Sequence, residues 1–229
     1  MTWMDAVTLA AHIDQTLLKP TAGFAEGAAW IDASRNSGFA ALCVSPFLVP
    51  LAAQRLAGTS TKVCSVAGFP LGYQNTETKA EESRQLVELG CVEIDMVLNI
   101  AALLEGEDAF VEDDIRAVVA SVAHASGGEG IVKVILETGH LAEAEIDRAS
   151  RIAAAAGAHY VKTSSGFGPR GASVRDVEIM RAAVGPDVGV KAAGGIRDLE
   201  AALEMLEAGA DRLGSSSGLE ILEALEHRR

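Results

Sequence analysis

The chain has 229 residues, 49% of them apolar and 22% charged, a balance that buries a core and excludes disorder for the bulk of the protein. Thirty-two acidic residues against 19 basic ones leave a net charge of −13. That surface repels polyanions and argues against nucleic-acid binding, while a local pocket for one small phosphate stays allowed.

Residues 1–5 carry neither a basic n-region nor an apolar h-region, and no uninterrupted apolar run reaches about 18 residues. No leader and no membrane span are therefore expected, and the expected location is the cytoplasm. Cys43, Cys64 and Cys91 form no Cys-x-x-Cys pair. They read as reduced, mostly buried thiols, and no metal site is expected. The five histidines also lack ligand spacing.

A short opening helix is expected near residues 5–11. Eight strands follow near 12–14, 41–45, 62–67, 92–99, 131–137, 159–164, 188–193 and 211–215. Eight helices separate and follow them near 25–37, 47–57, 76–89, 109–125, 142–156, 174–183, 198–208 and 219–227. Gly38, Gly90, Gly157 and Gly209 stand where helices end, as left-handed C-terminal turns require. Residues 126–130 read as a loop too short for a linker, so residues 1–229 read as one domain. Eight βα units in this length predict an α/β (β/α)8 TIM barrel. An open doubly wound sheet is the alternative.

The chain has six lysines, and Lys133, Lys162 and Lys191 sit inside apolar strand runs. Lysine is almost never fully buried without a partner. Strand period two sorts the faces. Ile94 and Met96 oppose Glu93 and Asp95; Val132 and Val134 oppose Lys133 and Glu137; Val190 and Ala192 oppose Gly189, Lys191 and Ala193. If the apolar sets meet the helices, Asp95, Lys133 and Lys191 point into the barrel, with small neighbours leaving room around Lys191. Lys162 shares a face with Tyr160 and Ser164, a less decisive pattern. An interior with three cations and few carboxylates is expected. It reads either as an ion-pair network that fixes register or as a lysine whose proton is expelled by burial and by a neighbouring cation. A neutral amine adds to carbonyls and forms Schiff bases. These patterns leave open which lysine is the nucleophile.

Two clusters follow the last strands, Ala193-Gly194-Gly195-Ile196-Arg197 and Gly214-Ser215-Ser216-Ser217-Gly218. Each ends a strand and opens a helix, where backbone N–H groups and helix potential favour anions. The loops after strands seven and eight commonly bind phosphate in barrels of this kind. Gly166, after Lys162, is a candidate third contact.

The motifs Ile13-Asp14-Gln15-Thr16-Leu17-Leu18-Lys19-Pro20, Gly68-Phe69-Pro70-Leu71-Gly72 and Glu93–Asn99 join the segments around Lys133, Lys162 and Lys191. Together they resemble the deoxyribose-phosphate aldolases over nearly the whole chain. The resemblance implies a cofactor-free class I aldolase that splits 2-deoxy-D-ribose 5-phosphate into acetaldehyde and D-glyceraldehyde 3-phosphate. By that matching Lys162 resembles the Schiff-base lysine, Lys191 the lysine that perturbs it, and Asp95 the catalytic carboxylate. Gly166, Gly194, Gly195, Ser216 and Ser217 resemble phosphate contacts, and Lys133, Asp14 and Thr16 supporting residues. The resemblance also carries an expectation of a homodimer. Two features depart from it: Gln15 stands where a histidine is frequent, and the chain ends without a terminal tyrosine.

Overall fold

In the computed structural model, which describes residues 4–228, eight parallel strands close on themselves in sequence order. The readings made of residues 1–3 and of residue 229 lie outside the described residues. The strands are β1 Ile13–Leu17, β2 Ala41–Val44, β3 Lys62–Ala67, β4 Glu93–Val97, β5 Ile131–Ile135, β6 Tyr160–Lys162, β7 Gly189–Ala193 and β8 Arg212–Ser215. β1 pairs with both β2 and β8, which closes the barrel and excludes the open sheet.

The surrounding helices are α1 Ala6–Ala10, α2 Phe24–Ser34, α3 Val49–Leu56, α4 Thr76–Glu88, α5 Ile100–Leu104, α6 Asp108–Ser126, α7 Glu143–Ala155, α8 Val174–Val184, α9 Leu199–Glu207 and α10 Gly218–His227. Each predicted element is present, but β5 and β6 end at Ile135 and Lys162 rather than at Glu137 and Ser164, so Glu137 lies beyond its strand. β1 extends to Leu17 rather than ending at Asp14. Its inward side chains are polar, which masks the strand in a hydropathy reading. The helix α5 was not predicted. Asn99, read as the end of a strand, caps it by accepting from the Ala102 N–H at 3.1 Å.

The alternation of faces is realised. Ile94, Met96, Leu98, Val132, Val134, Val190, Ala192 and Leu213 are buried in the main core between strands and helices. A smaller apolar cluster, Ala41, Cys43, Cys64 and Val66, forms on β2 and β3, with Leu18 and Phe69 packed on it. All three cysteines are free and buried. Among the described residues no helix is long and apolar enough to cross a membrane.

Lys79 is also fully buried. Its ammonium donates to Asp114 Oδ2 at 2.7 Å and to the Val97 carbonyl at 3.1 Å. It thereby ties α4 to α6 and to the end of β4. Replacing such a pair with apolar side chains would cost little, whereas removing one partner would strand a buried charge.

Candidate active site

Strand register brings the inward charges together. Asp95 is aligned with Lys133 on the next strand, and Lys162 with Lys191. Asp95, Lys133 and Lys191 are fully buried, and Lys162 nearly so. Asp95 Oδ2 accepts from Lys162 Nζ and Lys191 Nζ, each at 2.7 Å. Its other oxygen, Oδ1, accepts from Lys133 Nζ at 2.8 Å. Lys133 also lies 2.6 Å from Glu93 Oε2, and Lys191 lies 2.5 Å from Asp14 Oδ2.

The expected scarcity of carboxylates is corrected here. Asp14 and Glu93 join Asp95, and Arg212 joins the lysines by reaching Asp14 Oδ1 at 2.5 Å and Glu93 at 3.4 Å. Three carboxylates thus face four cations. Arg212 also sits over the Tyr160 ring, 5.6 Å from its centroid. Sequence reasoning missed Arg212, although the period-two test on β8 sets it opposite the core residue Leu213. The room predicted around Lys191 comes from a different residue. A side chain at Gly189 would strike the Tyr160 ring, whereas one at Gly214 would meet Lys191 Cε at 3.3 Å.

The charges respond to this packing. Burial by itself would raise the Asp95 carboxyl, but Lys133, Lys162 and Lys191 hold it well below the ordinary carboxylate range. Burial likewise opposes ionisation of Asp14, yet Lys133, Lys191 and Arg212 keep its carboxyl low. Burial disfavours the ammonium of Lys191, but Asp14 and Asp95 outweigh it and raise the lysine above its usual value. Lys191 is therefore a standing cation at neutral pH.

A cavity of about 210 Å³ opens above this network. It is lined by Thr16, Leu18, Lys162, Ser165, Gly166 and residues of the two glycine/serine clusters, including Gly194, Gly195, Arg197 and Ser216. Of the three inward lysines, only Lys162 lines it. Thr16 donates to its neighbour Asp14's carbonyl at 2.9 Å. Ser217, predicted beside Ser216, does not line the cavity. Its N–H donates to Ser215 Oγ at 3.0 Å, and it leads into α10. Gln15 ties the same turn to β1, accepting from the Gly218 N–H at 2.8 Å and donating to the Ser216 carbonyl at 3.4 Å. Gly194 is left-handed, with φ of 88°, and the chain crosses directly over it at Gly171, where any side chain would strike the Gly194 carbonyl.

Among the described residues two donor sets could meet a cation, Cys43–Cys64–Asp95 and Asp14–Cys64–Glu93, each with its ligand atoms within 4.8 Å of one another. The carboxylate oxygens of both are already engaged by lysine and arginine. The arrangement as a whole juxtaposes one amine at a cavity, a shared carboxylate, a standing cation and two glycine/serine turns on the cavity wall.

Residues 8–224 match the family model described as DeoC/LacD family aldolase. The chain is 49% identical over 220 residues to deoxyribose-phosphate aldolase 2 of Bacillus licheniformis, covering 96% of this chain and 97% of that one. Among solved structures it is similar to the aldolase QR15, with a TM-score of 0.90, 38% identity and 96% coverage of both chains. It is also similar to a deoxyribose phosphate aldolase from Aeropyrum pernix described as a unique tetramer. There the TM-score is 0.89 and the identity 30%, covering 98% of this chain and 94% of that one.

Proposed function

The chain belongs to the DeoC/LacD family of aldolases, and we propose that it cleaves 2-deoxy-D-ribose 5-phosphate reversibly to acetaldehyde and D-glyceraldehyde 3-phosphate through a Schiff base on Lys162. One observation carries this reading. Lys162 is the inward lysine that reaches the cavity, and its Nζ stands 2.7 Å from Asp95 Oδ2.

The amine must be neutral to add to the C1 carbonyl of the substrate. Asp95 Oδ2, which also accepts from Lys191, stands 2.7 Å from the Lys162 nitrogen and is placed to receive its proton. Loss of water from the adduct gives a protonated imine. Removal of the C3 hydroxyl proton then lets the C2–C3 bonding pair move to the imine nitrogen, releasing D-glyceraldehyde 3-phosphate and leaving an enamine. Protonation of the enamine at C2 and hydrolysis release acetaldehyde.

Asp95 is a poor base while three ammonium groups surround it. As the C2–C3 pair moves to the protonated imine its positive charge is neutralised, so one of those cations is lost during bond cleavage and Asp95 becomes a better acceptor. With Lys191 beside it, Asp95 passes protons to and from C2 and the C3 hydroxyl. The phosphate sits against Gly166, Gly194, Gly195 and Ser216, near Arg197 and the start of α10. Helix potential and backbone N–H groups favour an anion there. Binding energy from this remote end orients the reacting carbons.

The test is borohydride reduction in the presence of acetaldehyde, read by peptide mass, in the wild type and in Lys162→Ala. The adduct is expected on Lys162 and absent from the variant. An adduct on Lys191 instead would reassign the nucleophile. Product assays with deoxyribose 5-phosphate and ribose 5-phosphate decide the substrate.

A further inference from the structure

Glu137 follows β5 and is the one non-glycine residue with positive φ among the described residues, at φ 56° and ψ 58°. A residue with a Cβ rarely adopts this region, and where it does the surrounding structure holds it there. Its side chain shows what holds it. The carboxylate is almost fully buried, and both oxygens face the Ser165 N–H, at 3.1 and 3.3 Å. A Cβ at Gly168 would come within 2.6 Å of Glu137 Oε1, so the loop after β6 wraps around the carboxylate.

The surrounding bonds show what this contact controls. The Leu136 N–H donates to the Lys162 carbonyl and the Thr138 N–H to the Thr163 carbonyl, each at 2.9 Å. These two bonds stitch the end of β5 to the Lys162 strand without help from Glu137. The carboxylate reaches one step further, to Ser165. The Ser165 hydroxyl in turn accepts from the Phe167 N–H at 3.0 Å. Gly166 lies between these two tied amides and lines the cavity, as does Ser165. Glu137 itself does not line the cavity. Its charge is thus set behind the loop, away from the anion.

We propose that Glu137 is a positioning residue that fixes the Ser165–Gly166 turn against the phosphate end of the substrate, leaving the imine chemistry of Lys162 to Asp95 and Lys191. The proposal rests on the reading of this cavity as the phosphate site.

The test compares Glu137→Gly and Glu137→Gln with the wild type. Glycine accepts the left-handed backbone and removes the carboxylate, whereas glutamine keeps an oxygen that can accept from Ser165. In Glu137→Gly, KM for deoxyribose 5-phosphate is expected to rise about tenfold, the scale of one lost hydrogen bond to a charged group. KM for unphosphorylated deoxyribose and the rate of imine trapping with acetaldehyde should hold. Glu137→Gln should restore most of the phosphate preference. Equal losses for both substrates, an unchanged KM ratio, or no restoration by glutamine would each overturn the proposal. A wild type with no preference for the phosphorylated sugar would remove the site reading first and this inference with it. Thermal unfolding of both variants separates loss of positioning from loss of fold.

Discussion

Lys133 holds one oxygen of Asp95 at 2.8 Å and leaves the other to Lys162 and Lys191, each at 2.7 Å. The two oxygens of a single carboxylate therefore have different work. Oδ1 is anchored, with Cys64 Sγ as a second neighbour at 3.3 Å, while Oδ2 faces Lys162 and Lys191. A carboxylate anchored at one oxygen can exchange partners at the other without swinging away, as the proposed proton transfers require.

Asp95→Asn keeps the shape of that hub and removes its charge. Lys133, Lys162, Lys191 and Arg212 would then face only Asp14 and Glu93. Breaking a buried pair in this way costs about 3 kcal/mol or more. Urea unfolding at neutral pH measures it, together with a loss of imine trapping. A change below about 1 kcal/mol would mean that the remaining carboxylates suffice.

Acid should weaken the fold through Asp14 and Asp95. Burial opposes their charge, but the cations prevail and hold both carboxyls below the ordinary value near 3.9. A group with a depressed folded value contributes stability at pH above its unfolded value. That contribution is lost as pH falls from about 3.9 through the lower folded values. At the other end, Lys191 is raised in the fold, so its contribution holds below about 10.4 and is lost as pH rises through its folded value. Denaturant midpoints followed from pH 6 downward should show the acid loss, with a shallower slope in Asp14→Asn. Identical slopes would exclude Asp14.

Ser216→Asp puts a negative charge on the cavity wall. The efficiency of cleaving deoxyribose 5-phosphate should fall at least about a hundredfold, whereas unphosphorylated deoxyribose should change little, because like charges at a binding site cost several kcal/mol. Ser217→Asp should do much less, since Ser217 stands outside the lining. Matching losses at both positions would contradict this division.

Lys191→Leu keeps bulk and removes the standing cation. Asp95 would lose one of the cations that hold its carboxyl down and the group that shares its Oδ2 with Lys162. Cleavage of deoxyribose 5-phosphate should slow by at least about a hundredfold, the scale of a lost proton-transfer group. A product assay with an unchanged rate would exclude Lys191 from the proton transfers.

Much of this site was legible in the strands. A residue on a barrel strand has two directions available, and the apolar set must meet the helices. Asp95, Lys133 and Lys191 were therefore turned inward by their neighbours alone, and the eight βα units favoured a closed sheet, which the pairing of β1 with β8 decided. Lys162 was less decided, because Tyr160 and Ser164 on its face are neither clearly core nor clearly solvent. The strand pattern did not choose between Lys162 and Lys191; the family resemblance pointed to Lys162, and Lys162 is the one of the two that lines the cavity. The partners of Lys191 and Arg212 were hidden for a different reason. Asp14 lies 177 and 198 residues away from them in sequence, and no local pattern encodes a contact made only when β1 closes onto β8. Ser216 and Ser217 are equivalent letters in a serine run. The turn that opens α10 sends one to the cavity and the other into the helix start, a distinction of backbone direction that composition does not carry. Glu137 was read as inward on β5, but its left-handed backbone and its hold on Ser165 arise from the loop after β6, so only the folded chain assigns them.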